Sequence, residues 1–339
     1  MKIKALSFVL MAVLLLCGCG QKSETAAAAP AQAVTASAVR SSTARPVSTG
    51  VTPEQFGAKG DGIADDLQAL QVAMQQASAS GRPLELTAGA VYRFSSCLGL
   101  PSGLTIRGNG AVLLSDIQYH DLKEDRVAVE LMKDSDDDRA HDVRLENVTF
   151  RAADSCQANY MLRVMLARNV EFVGCTFDCE PNEWGRCAAD LYGGNENIRF
   201  EGCVFRQMTS GASGGIWVRN WTDRVESRNI RFQNCEFYKS GADELLAVWG
   251  WGGAVRDVVL SGCSFYETQT QEALDAGHRP AWFITLGQSG TTDVRMEDCT
   301  VRAEYCETIF RMVGDKTRAV VDNCDITMRQ PDSMAKAPI

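Results

Sequence analysis

One phrase recurs seven times along this 339-residue chain, and it limits the possible folds more than any other feature. Val143-Arg-Leu145-Glu-Asn-Val148-Thr-Phe150 is followed by Val170-Glu-Phe172-Val-Gly-Cys175-Thr-Phe177 and Ile198-Arg-Phe200-Glu-Gly-Cys203-Val-Phe205. Next come Ile230-Arg-Phe232-Gln-Asn-Cys235-Glu-Phe237 and Val258-Val-Leu260-Ser-Gly-Cys263-Ser-Phe265. Val294-Arg-Met296-Glu-Asp-Cys299-Thr-Val301 and Ala319-Val-Val321-Asp-Asn-Cys324-Asp-Ile326 close the series. From Val148 to Cys324 the Cys-equivalent positions are 27, 28, 32, 28, 36 and 25 residues apart, so a constant unit is joined by loops of varying length. In each copy the first and third residues are apolar and the one between is mostly charged, which is strand alternation. A Gly, Asn or Asp then bends the chain before a second short strand. Strand, bend, strand and return at this period make one coil of a solenoid. The reading is all-β: a single-stranded, right-handed parallel β-helix.

Stacked coils place like residues over like at about 4.8 Å. Cys175, Cys203, Cys235, Cys263, Cys299 and Cys324 then form an inward column. Its chemical alternatives are metal binding or redox activity. A core filled by small, soft side chains is the expected reading, because no tight Cys-x-x-Cys spacing occurs and the chain has only three histidines, His120, His141 and His278. Cys179 and Cys187 lie off the column at loop-disulfide spacing, while Cys97, Cys156 and Cys306 take no pairing from sequence. Arg144, Glu171, Arg199, Arg231 and Arg295 fall in one outward column. Glu146, Glu201, Gln233, Glu297 and Asp322 lie two residues along, so surface ion pairs are expected there rather than a track for an acidic polymer.

The first residues, Met1-Lys2-Ile3-Lys4 and an apolar run from Ala5 to Leu16, have the form of a secretory signal, too short to span a bilayer. Leu16-Cys17-Gly18-Cys19 resembles the processing box of bacterial lipoproteins. That resemblance implies removal of residues 1–18, acylation of Cys19, and anchoring in a lipid bilayer. Gly20 rather than Asp follows, which in such proteins implies the outer membrane of a Gram-negative cell. Residues 19–50 are Ala-, Ser- and Thr-rich and read as a disordered tether. The formal net charge of −9 argues against a nucleic-acid partner.

Residues 51–95 read as a cap with the first strands, 96–328 as the β-helix and 329–339 as a tail. The tail offers little to cover the last coil, so an oligomeric contact or a folded-back loop is expected there. In the cap, Phe56-Gly-Ala-Lys-Gly-Asp61-Gly-Ile-Ala-Asp65-Asp66 precedes Leu67, Leu70, Met74 and Ala77 at helical spacing, and a solenoid needs a plug over its first coil. With Ala88-Gly89-Ala-Val-Tyr92 and Leu100-Pro-Ser-Gly-Leu-Thr-Ile-Arg-Gly108-Asn-Gly110 it resembles the opening of the rhamnogalacturonase/epimerase-like pectate lyase domain, which implies a β-helix acting on or binding polysaccharide. Ala242-Asp243-Glu244-Leu-Leu-Ala-Val248 resembles the paired-acid phrase of polygalacturonases, and Phe283-Ile-Thr-Leu-Gly287-Gln-Ser-Gly290 their next-coil phrase. Arg311 matches the Arg of that family's Arg-x-Lys pair. Trp282 stands in place of its His, Gly214 in place of its first Asp and Val313 in place of its Lys.

Glycoside hydrolysis needs two carboxylates with separated roles, and Asp243 and Glu244 are the candidates, with Arg311 beside them. In the register implied by the phrases, Glu244 is level with Gly214 on one neighbouring coil and Trp282 on the other. Five of the six Trp lie in three successive coils: Trp217, Trp221, Trp249, Trp251 and Trp282. They either line a sugar-stacking groove or cover the solenoid edge. Arg219 and Arg311 either bind a uronate carboxylate or pair with nearby acids. A hydrolase of this kind needs no cofactor and no metal. A lyase would need a basic proton acceptor, with Arg219 the candidate, and Ca2+ on carboxylates. A non-catalytic glycan-binding or structural envelope lipoprotein is the alternative, and sequence alone leaves enzyme and binder both standing.

Overall fold

The computed structural model describes residues 50–118, 127–132, 138–179, 187–208, 215–220, 225–239, 244–267, 282–287, 290, 292–303 and 308–328. Chain contacts divide Met1–Pro46 from a second unit, Val47–Ile339, and everything below concerns the second. Cys19, Gly214, Trp221, Asp243, Cys306 and the 329–339 tail lie outside the described residues, as do the signal and tether and the side chain of Trp282. Among the described residues no helix is long and apolar enough to cross a membrane.

The unit is a right-handed parallel β-helix of three sheets with eight, nine and ten strands. A typical coil runs through Ala140–Glu146 in the nine-stranded sheet, Thr149–Ala152 in the ten-stranded sheet and Tyr160–Met165 in the eight-stranded sheet. Ala167–Val173 then begins the next coil. The repeated phrase is the corner between the nine- and ten-stranded sheets. Val143, Val170, Ile198, Ile230, Val258, Val294 and Ala319 pair in one register, as the sequence phrases predict. The small residue at the bend is explained by its backbone: Asn147, Gly174, Gly202, Asn234, Gly262, Asp298 and Asn323 all have positive φ, between 48° and 62°. Gly adopts that region freely and Asn or Asp at modest cost, whereas β-branched residues do not.

Behind this corner two aromatic columns stack. Phe150, Phe177, Phe205, Phe237 and Phe265 lie ring over ring at 4.7–5.0 Å, and Phe172, Phe200 and Phe232 do the same beside them. All eight are sealed from water, each contributing about 1.5–3 kcal/mol by burial. The thiol column sits at the same corner and is a core filler. Cys175, Cys203, Cys235, Cys263 and Cys299 are buried, and each Sγ donates to a carbonyl of an earlier coil at 3.3–3.5 Å. Cys324, on the last coil, is only half-buried. Cys179 and Cys187 are not joined by a disulfide, and the Cys187 Sγ donates instead to the carbonyls of Ala189 and Gly215.

Helix α1 (Leu67–Ser80) plugs the first coil. It buries Ala69, Leu70, Ala73, Met74 and Ala77 on one face and ends at Gly81, whose φ is 64°. In the acidic run before it Asp65 accepts from the Leu67 amide at 3.2 Å, while Asp66, at the N-cap position, makes no side-chain cap bond and shapes the entry instead. The Asp66 carboxylate accepts from the Lys59 and Gly60 amides at 2.7 and 3.0 Å, and Asp61 accepts from Ile63 and Ala64.

Candidate functional site

In the eight-stranded sheet the inward residues alternate along each strand as Leu162/Val164, Ala189/Leu191, Ile216/Val218, Leu246/Val248 and Ile284/Leu286, all buried. The intervening residues therefore project outward. Two outward rows follow from the register. One contains Glu130, Arg163, Asp190, Trp217, Ala247, Thr285 and Arg311. The other contains Met132, Met165, Tyr192, Arg219, Trp249, Gly287 and Val313.

The outer face of a sheet normally meets water, yet Asp190 is completely buried and the Arg163 and Arg219 side chains are only 10% and 8% exposed. Arg219 forks onto Asp190, Nε to Oδ1 and the second nitrogen to Oδ2, both at 2.7 Å. The Arg163 Nε donates to the same Oδ2 at 3.1 Å. Burial works against the Arg219 charge, but the hydrogen bond and charge of Asp190 outweigh it and hold the guanidinium above its ordinary pKa. Aromatic faces complete the enclosure. The Arg219 guanidinium lies 4.2 Å from the Trp217 ring and 4.9 Å from Tyr192, and that of Arg163 lies 4.5 Å from Tyr160. A desolvated cation over such faces gains about 2 kcal/mol.

Outside this platform the indoles form a cluster. Trp217 and Trp249 have ring centroids 5.6 Å apart, Trp249 and Trp251 stack at 5.5 Å, and Tyr160 meets Trp217 edge-on at 5.9 Å. The turn after Leu246–Gly250 is what returns Trp251 to its neighbour. A Cβ on Gly250 would meet the Gly253 carbonyl at 2.6 Å, and the Trp251 amide is fixed to the Asn220 carbonyl at 2.8 Å. All three indoles are half-buried. The Nε1 atoms of Trp217 and Trp249 and the Oγ1 of Thr285 are buried with no hydrogen-bond partner among the described residues.

Trp217, Arg219, Trp249 and Trp251 thus come together. Arg219, a candidate base and uronate ligand by sequence, is instead locked to Asp190. That leaves it unsuited to accept a proton. Glu244 is buried immediately before the strand Leu246–Gly250. The pairing of Leu246 with Ile284, extended two residues back, puts it level with the backbone of Trp282, while Gly214 lies outside the described residues. Arg311 is exposed, in the row of Trp217 but three coils further along. Sequence reading missed Tyr160, Arg163, Asp190 and Tyr192. The alternation that aligns Leu162 with Ala189 and Ile216 was the signal that could have found them.

A cavity of about 490 Å³ lies elsewhere, on the outer face of the nine-stranded sheet. Asn169 there donates to Asp142 and Asn197 to Asn169, at 2.9 and 3.0 Å, while Arg144 and Arg199 both pair with Glu171. Its charges answer one another, and the trough is the ion-pair surface that the sequence predicts. No group of His, Cys, Asp or Glu among the described residues is arranged to hold a metal.

No protein-family model and no curated protein matches the chain. Solved structures do. ORF18 of Geobacillus virus E2 is 15% identical with a TM-score of 0.61, over 83% of this chain and 58% of that one. The chain thus spans less than three-fifths of that protein. PfbA, a surface adhesin of Streptococcus pneumoniae, is 15% identical with a TM-score of 0.49, over 81% of this chain and 74% of PfbA. An endo-xylogalacturonan hydrolase from Aspergillus tubingensis is 12% identical with a TM-score of 0.44, over 83% of this chain and 93% of the hydrolase. At 15% identity the likeness to ORF18 speaks to the fold alone.

Proposed function

We propose that this chain is an exported lipoprotein, anchored through Cys19 to the outer membrane of a Gram-negative cell, that engages polysaccharide on the outer face of its eight-stranded sheet. The observation that carries this reading is the half-buried cluster of Trp217, Trp249 and Trp251 set on the Arg163–Asp190–Arg219 platform. Flat indole faces suit the apolar faces of sugar rings. Unpartnered Nε1 donors are what sugar hydroxyls satisfy, since a buried donor left alone costs about 1–3 kcal/mol. The cap phrase beginning at Phe56 supports membership of the rhamnogalacturonase/epimerase-like pectate lyase group. Titrating the Val47–Ile339 unit with a panel of neutral and acidic polysaccharides tests the reading. Saturable binding that Trp249→Ala weakens is expected, and no binding across the panel would sink it.

A second reading, hydrolysis, is favoured by one further observation: Glu244 is 4% exposed just before the strand that carries Trp249. With Asp243 it would supply the acid pair. Release of new reducing ends by the wild type, lost in Glu244→Gln and Asp243→Asn, is the expected result. Binding without product release would leave a glycan-binding protein. A lyase would in addition lose activity with a Ca2+ chelator.

A further inference from the structure

The first coil of the solenoid is closed by α1, but the last is not closed by any described element. Thr308–Val313, Thr317–Asp322 and Asp325–Met328 are the terminal strands of the three sheets. Among the described residues each therefore presents an unpaired edge, a template for another strand. Side chains of the core rows stand open there: Met312, Val321, Ile326 and Met328 are 38–53% exposed.

The middle edge, Thr317-Arg318-Ala319-Val320-Val321-Asp322, has a self-complementary order. The carbonyls of Lys316 and Asp322 accept from the preceding coil, from the amides of Thr292 and Asp298 at 3.2 and 3.1 Å. By alternation, Ala319 and Val321 direct their N–H and C=O groups to the open side. An antiparallel copy centred on Val320 then sets Ala319 opposite Val321 as hydrogen-bonded pairs. It also sets Arg318 opposite Asp322 as the closer, non-hydrogen-bonded pairs, twice over. Neither charge has an ion-pair partner within contact distance among the described residues. Within the chain Arg318 lies level with Asp293, and Asp322 with Glu297, a like charge, two residues beyond the level of Arg295. Among the described residues none of these forms an ion pair with Arg318 or Asp322, which leaves both able to pair across the edge.

We propose that the last coil is a dimerisation surface on which a second copy of this chain adds its Thr317–Asp322 strand antiparallel, about a two-fold axis through Val320. The same axis lays Thr308–Val313 of each copy over Asp325–Met328 of the other, which covers Met312, Val321, Ile326 and Met328. The contact is isologous and closes on itself, so it stops at two copies.

Sedimentation velocity of the Val47–Ile339 unit across the micromolar range tests this, with far-UV circular dichroism confirming that each variant is folded. The wild type is expected to dimerise. Arg318→Asp, which sets Asp against Asp twice, should weaken the dimer at least tenfold, and Arg318→Gln should weaken it less. The double exchange Arg318→Asp with Asp322→Arg should restore it. A monomeric wild type, a dimer indifferent to Arg318→Asp, or a double exchange that fails to rescue would each overturn the proposal. A monomer that associates only after residues 329–339 are deleted would assign the surface to the tail instead.

Discussion

Two faces of this solenoid carry an arginine–acid–arginine set, and solvent gives the two sets different work. On the nine-stranded sheet Arg144, Glu171 and Arg199 occupy successive coils, each about a third exposed. Water and salt screen such pairs, which are worth about 0–1 kcal/mol each. On the eight-stranded sheet Arg163, Asp190 and Arg219 have nearly the same chemistry with almost no exposure. There, desolvation is expensive, and the set is tolerable only because one carboxylate takes three N–H bonds and aromatic faces cover both cations. The solvated set keeps a surface soluble. The buried one makes a stiff floor, and the candidate site stands on that floor.

The sharpest way to break this contrast is Asp190→Asn, which removes the carboxylate charge that both buried guanidiniums share. Removing one partner of a buried ion pair costs about 3–5 kcal/mol, so the urea midpoint of the Val47–Ile339 unit should fall far below that of the wild type. A change under about 1 kcal/mol would mean that the set is not the rigid element described here. Next in size, Trp249→Ala removes the indole that links Trp217 to Trp251. Glycan affinity should fall about tenfold, or about 1.4 kcal/mol, with the urea midpoint nearly unmoved because the ring is half-buried on the outer face. Loss of fold and affinity together would make the tryptophans a structural cover instead.

Much of the fold was legible because its signal is local and repeated. The Val143 to Val321 alternation gives strands, and the residue before each Cys must accept a left-handed backbone, which Gly174 and Asn234 do. The second left-handed row, Asp142, Asn169, Asn197, Asn229 and Asp257, is just as regular, but it precedes the phrase and passed as ordinary polar sequence. The platform was harder to see for a physical reason. Arg163 and Asp190 lie in the return segments, where loop length varies, so counting from the cysteines does not align them. Nothing local says that an outward residue will be buried, since that depends on what lies over the sheet. Arg219 illustrates the cost: its residue type pointed to a ligand, while its partner two residues from Tyr192 on the adjacent strand decides its role.

On the exposed face the same logic predicts small effects. Glu171→Gln removes the acid shared by Arg144 and Arg199, yet Glu146 and Glu201 remain beside them. Stability should drop by no more than about 1 kcal/mol, and by less in high salt. A loss approaching that of Asp190→Asn would erase the distinction between the two faces.

The smallest expected effect concerns acid. Hydrogen bonds from Asn169 and His141 hold the Asp142 carboxyl below its ordinary value of 3.8. A depressed folded-state pKa means that the unfolded chain binds the proton more readily, so this contribution is complete above the ordinary value and disappears as pH falls through the folded one. Asp142→Asn should therefore flatten the acid limb of the stability profile slightly below pH 4 and leave it unchanged near neutrality. The Asp142 side chain is 61% exposed, so the difference will be small. Denaturant midpoints of wild type and variant measured side by side through that range would show it, and a difference that persists at neutral pH would mean that Asp142 acts through its place in the asparagine row rather than through its charge.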